Sequence, residues 1–345
     1  MATPRTYREA GVDVAEAERA VERIGRAAAA TLTPAVLGGV GGFGGLFRFD
    51  PTTHAEPILV SSTDGVGTKL KVALGLGRHD TIGVDLVNAC VNDIAVAGAD
   101  PLFFLDYLAV GSLRADVVEQ IVGGVAAGCA GAGIPLIGGE TAELPDLYRG
   151  DDYDLAGFVV GVVARHDLID GARVRPGDVL LGIPSSGLHT NGYSLARSIL
   201  PPDTWHRPMP NDDRTIGDAL LEPHRSYLDD VRALRRAVRE AGGDIGALAH
   251  ITGGGWEGNV PRTLPGGLGV EVDIGSWPVP AIFSLIQQRG DIADEEMVRT
   301  FNIGIGMTAV VPTAATDAAL AAVPDACRIG TVVEVPGGEP RVRFA

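Results

Sequence analysis

Residues Ser61 to Lys71 read Ser-Ser-Thr-Asp-Gly-Val-Gly-Thr-Lys-Leu-Lys, directly after the apolar run Pro57 to Val60. The tract brings the Asp64 carboxylate, the Gly65 and Gly67 backbone, the Thr68 hydroxyl and the Lys69 ammonium to the expected end of a strand. A glycine turn lets backbone N–H groups close on an anion, a carboxylate can hold a divalent cation, and an ammonium neutralises phosphate oxygens. These residue types point to a nucleotide site. Their order is neither that of a Walker loop nor a full dinucleotide fingerprint, so a plain strand-ending glycine turn is the competing reading.

Further acidic groups fall where they could join Asp64. The segment Ile82 to Ala97 is apolar apart from Asp85, Asn88, Asn92 and Asp93, and the first three share one face of a helix. A polar stripe on a buried helix needs partners, either neighbouring backbone groups or a shared cation. Glu140 lies in Gly138-Gly139-Glu140-Thr141, expected as a turn after a strand at Pro135 to Ile137. Carboxylates from three strand–helix junctions would suit Mg²⁺; the alternative is a helix-capping Glu140.

Two more turns carry donors. Ser185 to Ser194 packs Ser186, His189, Thr190 and Asn191 ahead of a helix, which favours contact with an anionic ligand. Thr252-Gly253-Gly254-Gly255 has the composition of a second phosphate nest, while His250, at the end of an apolar strand, reads as structural.

These groups need elements to hold them. Asp13 and Glu16 have capping-box spacing at the head of an amphipathic helix running to Gly25. Leu37 to Phe47 holds six glycines in eleven residues, too many for a helix or strand interior, and forms a loop, either lid or linker. Strands and helices then alternate to Val335. The pattern predicts an α/β protein of two domains, 1–170 and 171–345, parted at the charged, Gly-containing segment near Gly171.

Composition limits the function classes. With 46% hydrophobic residues, 21% charged residues and no apolar run of about 20 residues, a soluble cytoplasmic chain that does not enter a membrane is expected. A formal net charge of −16 repels nucleic acid, so an anionic ligand must be a small molecule held by local donors or a metal. Cys90, Cys129 and Cys327 are an odd number set far apart, which predicts neither disulfides nor a thiolate metal cluster.

Seven tracts in order, TDGVGTK (Thr63 to Lys69), CVND (Cys90 to Asp93), FFLDY (Phe103 to Tyr107), GGETAELP (Gly138 to Pro145), SSGLHTNGYSL (Ser185 to Leu195), HITGGGW (His250 to Trp256) and RTFNIGIGM (Arg299 to Met307), closely resemble the phosphoribosylformylglycinamidine cyclo-ligases. The resemblance runs from about Tyr7 to the end. It implies a homodimer whose N-terminal strands build a central β-barrel, and a C-terminal domain formed by a sheet covered by helices. It also implies ATP-driven ring closure of formylglycinamidine ribonucleotide through an iminophosphate.

Under that resemblance ATP is held by Asp64, Gly65, Val66, Gly67, Thr68, Lys69, Asn92, Gly138 and Gly139 with Gly42 and Gly44. Mg²⁺ is held by Asp64, Asp93 and Glu140. The nucleotide substrate is held by Ser186, His189, Asn191, Thr252, Gly253, Gly254 and Gly255, and Lys69, His189 and Asn191 stand nearest the chemistry. One departure is Ala27 to Ala30, where relatives often carry lysines. Competing readings are other ATP-dependent enzymes that resemble this family, such as formylglycinamidine ribonucleotide synthetase or selenophosphate synthetase, and a non-catalytic nucleotide-binding protein.

Overall fold

The computed structural model describes residues 14–39, 41–210, 212–337, 339 and 341–345, so the capping-box reading at Asp13 lies outside the described residues. The N-terminal half contains α1 (Val14–Ala29), β1 (Pro57–Gly65), α2 (Leu70–Leu76), α3 (Ile82–Ala95), β2 (Asp100–Val110), α4 (Ala115–Ala132), β3 (Leu136–Glu143) and β4 (Tyr153–Ala164). The C-terminal half contains β5 (Val179–Pro184), α5 (Tyr193–Ile199), α6 (Ile216–Leu221), α7 (Leu228–Glu240), β6 (Ala247–His250), α8 (Gly255–Asn259) and β7 (Leu268–Val272). It continues with α9 (Ala281–Gly290), α10 (Asp294–Thr300), β8 (Ile305–Val311), α11 (Thr316–Ala322), β9 (Cys327–Glu334) and β10 (Val342–Phe344).

Each half builds one sheet. The first has the order β1-β4-β2-β3, and the second β10-β7-β9-β5-β8-β6. Among the described residues β2–β3 and β10–β7 are the parallel pairs, and the other ladders are antiparallel. The alternating strands and helices expected from sequence are therefore present, but they form mixed sheets.

Two strands run further than their apolar residues suggested. β1 continues through Asp64 to Gly65, antiparallel to β4, so Asp64 sits inside a ladder. β3 runs through Gly138, Gly139 and Glu140 to Glu143 beside β2, so Glu140 is a mid-strand residue and neither ends a strand nor caps a helix. Backbone pairing to a neighbouring strand extended both segments past the residues whose side chains favour β structure.

Along β1 the half-buried Ile58, Val60, Ser62 and Asp64 alternate with exposed Pro57, Leu59, Ser61 and Thr63. The first set faces α3, which lies across β1, β4 and β2. Helix α4 packs closely on α3 because Gly83 and Gly124 have no side chains; a Cβ at Gly83 would come within 2.2 Å of Val125 N. The opposite face of the sheet leaves Leu59 64% and Phe158 42% exposed.

The polar stripe on α3 has backbone partners, as one of its two readings held. Segment 222–227 of the C-terminal half has no helix or strand, so its peptide groups need other bonds when buried. Asp85 Oδ1 accepts from His224 N at 2.6 Å, and Asn88 Nδ2 donates to His224 O at 2.6 Å. Asn92 Nδ2 donates to Arg225 O at 2.9 Å, and its Oδ1 accepts from Tyr227 N at 2.8 Å. Lys69 Nζ, wholly buried, donates to Asp85 Oδ1 at 2.9 Å and to Glu222 O at 2.7 Å.

Removing one member of a buried ion pair strands the other charge, which typically costs about 3–5 kcal/mol. Asp85→Ala is expected to lower unfolding stability by that amount in urea titration, while an exposed pair such as Arg26–Glu22 should give less than about 1 kcal/mol. A loss below about 1 kcal/mol for Asp85→Ala would contradict the coupling of the two halves through this pair.

Candidate functional site

The expected site residues fall into two places. The first is the seam between the halves. Here Ser62 Oγ donates to Asp93 Oδ2 at 3.1 Å, and Asp93 Oδ1 lies 2.9 Å from His250 Nδ1. Asp64 Oδ1 accepts from Gly65 N at 2.7 Å. Burial is the main cause holding the Asp64 carboxyl above its usual range; the Asp93 charge adds to it, while Gly65 N–H and His250 oppose it.

Three imidazoles meet beside these acids, with nitrogens of His189, His224 and His250 within 4.8 Å of one another and all three rings buried. His224 Nε2 is 3.0 Å from His250 Nε2, and the His189 and His224 rings stack with centroids 3.9 Å apart. Burial, reinforced by neighbouring cationic groups, pushes His189 and His224 well below the ordinary histidine range, so both are neutral. Ser186 N donates to His189 Nε2 at 3.3 Å, which leaves the proton on Nδ1, a buried atom with no hydrogen-bond partner. His189 also holds a left-handed backbone, φ 61°, uncommon outside glycine.

The turns expected to bind ligands converge on this seam. Thr68 Oγ1 is 3.2 Å from Ser194 Oγ, and a Cβ at Gly67 would meet Thr190 O at 3.6 Å. A Cβ at Gly253 would lie 3.3 Å from Asn191 Oδ1, so the Asn191 and triple-glycine turns face one another. Gly254 and Gly255 take φ 87° and 57°, and Gly255 passes so close to α10 that a Cβ would sit 2.1 Å from Val298 O. Asn259 Nδ2 donates to the carbonyls of Thr252, Gly253 and Gly255, fixing that turn.

The second place is a cavity of about 710 Å³ between α1, the Gly-rich loop and β3. Gly42, Gly44, Gly138, Gly139 and Glu140 line it, together with Asp106. The ends of the loop are pinned by Leu37 N→Leu46 O at 2.8 Å and Arg48 N→Ala35 O at 2.7 Å, which makes it a hairpin-like flap over the cavity.

Several expectations change. Asp64, Gly157, Asp106 and Gly139 lie in one line across the four strands, and Glu140 falls in the next line with Gly65. At about 4.8 Å per strand, Glu140 and Asp64 are separated by roughly 14 Å, too far for one ion in one chain. Lys69 is enclosed by Asp85 and Glu222 O instead of facing a phosphate, and the Asn92 amide is committed to segment 222–227. His250, read as structural, belongs to the polar cluster. Val66 is fully buried and contributes packing. Ser186 Oγ donates to Pro223 O at 2.5 Å.

Sequence reasoning missed His224 and gave Asp106 no role. His224 stands alone in an irregular segment and carried no signal. Asp106 did carry one, as the lone charge within the apolar run Leu102 to Val110.

Residues 45–163 match the family AIR synthase related protein, N-terminal domain, and residues 175–343 match AIR synthase related protein, C-terminal domain. A phosphoribosylformylglycinamidine cyclo-ligase of Anaeromyxobacter dehalogenans (strain 2CP-1) is 57% identical over 310 residues, covering 89% of this chain and 88% of the relative. The chain belongs to this cyclo-ligase family. Another member, from Desulfitobacterium hafniense (strain Y51), is 54% identical over 306 residues, covering 89% of each chain. The member from Nitrosococcus oceani is 49% identical over 346 residues, covering 99% of this chain and 95% of the relative. Among solved structures, the hydrogenase maturation protein HypE in complex with ATP superposes with a TM-score of 0.67 at 20% identity, covering 95% of this chain and 91% of that one. Thiamine-monophosphate kinase from Stenotrophomonas maltophilia gives a TM-score of 0.64 at 19% identity, covering 94% and 95%. At these identities the two share the fold with this family member.

Asp106 provides a pH test. Burial pushes its carboxyl up to about 7. A folded pKa above the unfolded value of about 3.9 means that this group's contribution is full below pH 4 and is lost as pH rises through 7. The wild type should therefore lose about 2–4 kcal/mol relative to Asp106→Asn between pH 4 and 8, read from urea unfolding at each pH. Parallel profiles for the two proteins would refute the buried-acid assignment.

Proposed function

We propose that the chain is the cyclo-ligase that closes formylglycinamidine ribonucleotide to 5-aminoimidazole ribonucleotide with ATP, in purine biosynthesis and in the cytoplasm. The observation that carries this reading is the convergence of three family tracts from both halves, TDGVGTK, SSGLHTNG and HITGGG, on the seam beside Asp64, Asp93 and the three histidines. No helix among the described residues is long and apolar enough to cross a membrane, which agrees with a water-borne substrate.

In the proposed reaction the formyl oxygen attacks the γ-phosphorus and ADP leaves. The amidine nitrogen then attacks the formyl carbon, the carbon–oxygen bond breaks, phosphate departs and the nitrogen loses a proton. Such chemistry depends on charge neutralisation and positioning more than on a protein nucleophile.

Asp64 and Asp93 would hold Mg²⁺. Two neighbouring carboxylates, one raised partly by the other's charge, suit a cation between them. Mg²⁺ would supply charge neutralisation at the transferred phosphoryl group. Thr68 and the Gly65 and Gly67 backbone would face nucleotide phosphates, and Thr252 with Gly253 to Gly255 would take the ribose phosphate. Neutral His189 would donate its Nδ1–H, and Asn191 its amide, to the reacting groups. Lys69 would act as a positioning residue. The Gly42, Gly44, Gly138 and Gly139 cavity would take the nucleoside end of ATP.

We also propose a homodimer. The sheet face opposite α3 exposes the large apolar side chains of Leu59 and Phe158 beside Ser61 and Thr63, and a second copy presenting the same face would cover them.

ADP and phosphate should form from ATP only when formylglycinamidine ribonucleotide and Mg²⁺ are both present, with the aminoimidazole product appearing in step. ATP turnover without that substrate, or none with it, defeats the assignment. Asp64→Asn should cut turnover on the order of a hundredfold with little change in thermal transition. Phe158→Glu should halve the mass seen by light scattering; an unchanged mass would place the interface elsewhere.

A further inference from the structure

Asp106 sits in the middle of β2 with same-face neighbours Phe104 and Leu108 fully buried. Its own relative exposure is 9%, and apart from its own backbone N–H no donor reaches its carboxyl among the described residues. A buried acid without a partner is costly unless something binds it. The side chain lines the cavity under the Gly-rich loop, where α1 contributes uncharged Ile24 and Ala28. The edge strand leaves it room: a Cβ at Gly139 would fall 1.9 Å from Asp106 Oδ1. The absence of a side chain at Gly139 therefore keeps this carboxyl at the cavity wall.

We infer that Asp106 is a specificity-determining residue whose carboxyl pairs with the amino group and adjacent ring nitrogen of adenine in this cavity. The inference rests on the nucleotide reading above. A protonated carboxyl offers one donor and one acceptor side by side. Adenine presents the complement, an N6 amino donor next to a ring-nitrogen acceptor, whereas guanine presents two acceptors at O6 and N7. Ionised, the carboxyl becomes acceptor-only and loses its match to adenine, matching guanine's N1–H and N2 amino group instead. Burial pushes the carboxyl up to about 7, so the protonated form predominates at pH 6 and the ionised form at pH 9. The titratable group that faces Asp106 is Cys129 from α4, whose thiol it helps push up; Glu140 lines the same cavity from the next line of β3, and the cavity residues of α1, β4 and the loop carry no charge.

Calorimetric titration of the full chain with ATP and with GTP, at pH 6 and pH 9, tests this. Wild type should prefer ATP at pH 6, and the preference should shrink about tenfold at pH 9 as the hydrogen bond is lost. Asp106→Asn, which keeps one donor and one acceptor, should hold the preference at both pH values; Asp106→Leu should lose about tenfold at pH 6. The wild-type comparison does not depend on any variant folding. A preference that ignores both pH and the leucine substitution overturns the inference. Protease sensitivity between Leu37 and Phe47 separates the two layers: protection by ATP without dependence on Asp106 defeats this inference alone. Absence of both binding and protection defeats the nucleotide reading beneath it.

Discussion

The interaction on which the rest depends is the buried contact of Lys69, Asp85, Asn88 and Asn92 with segment 222–227. Five side-chain bonds to backbone groups hold a stretch that has no regular structure of its own. The chain thereby brings His224 against His189 and His250, and sets the second sheet beside Asp64 and Asp93. Burying Lys69 and Asp85 is expensive, as the upward push on the acid to about 6 and the downward push on the ammonium attest. What the pair secures is position. A hydrophobic replacement could fill the space, but it could not bond the Glu222 carbonyl and the His224 N–H at once.

The same economy of polar groups governs the seam. Asp93 is reached by Ser62 and His250, His250 by His224, and His224 by Asn92 and Thr190. These polar atoms take their partners from other segments of the chain, so the geometry is shared across both halves and depends on their docking. Among the buried atoms without a hydrogen-bond partner are His189 Nδ1 and Asp85 Oδ2. The first belongs to a residue in a left-handed backbone, and an unpartnered buried atom on such a backbone is a combination common where function overrides local stability.

Much of the fold was legible. The alternation of strands and helices is present, and β1 and β3 begin within a residue of the apolar runs at Pro57 and Pro135. Short elements such as α2, α6, α9, α10, β7 and β10 were not legible in the pattern, because so few residues carry little periodicity. Also legible were the ligand turns, because glycines and hydroxyls cluster there for reasons that do not depend on neighbours. Less was legible in Glu140 and Lys69. Their residue types suit metal and phosphate, and residue type is indifferent to whether a strand continues or a partner arrives from 153 positions away.

By itself the sequence determined the residue inventory, the element order and, through seven ordered tracts, the family. Local propensity, turn chemistry and motif spacing are short-range properties that a chain carries before it folds. Only the tertiary structure decided which inventory members meet. Strand order put Glu140 three strands from Asp64, the α3 stripe withdrew Lys69 and Asn92 into the interior, and docking of the halves recruited His224 and His250. It also left Asp106 unpaired at a cavity wall. Those outcomes follow from long-range pairing, where a hydrogen bond or an ion pair depends on residues far apart in the chain.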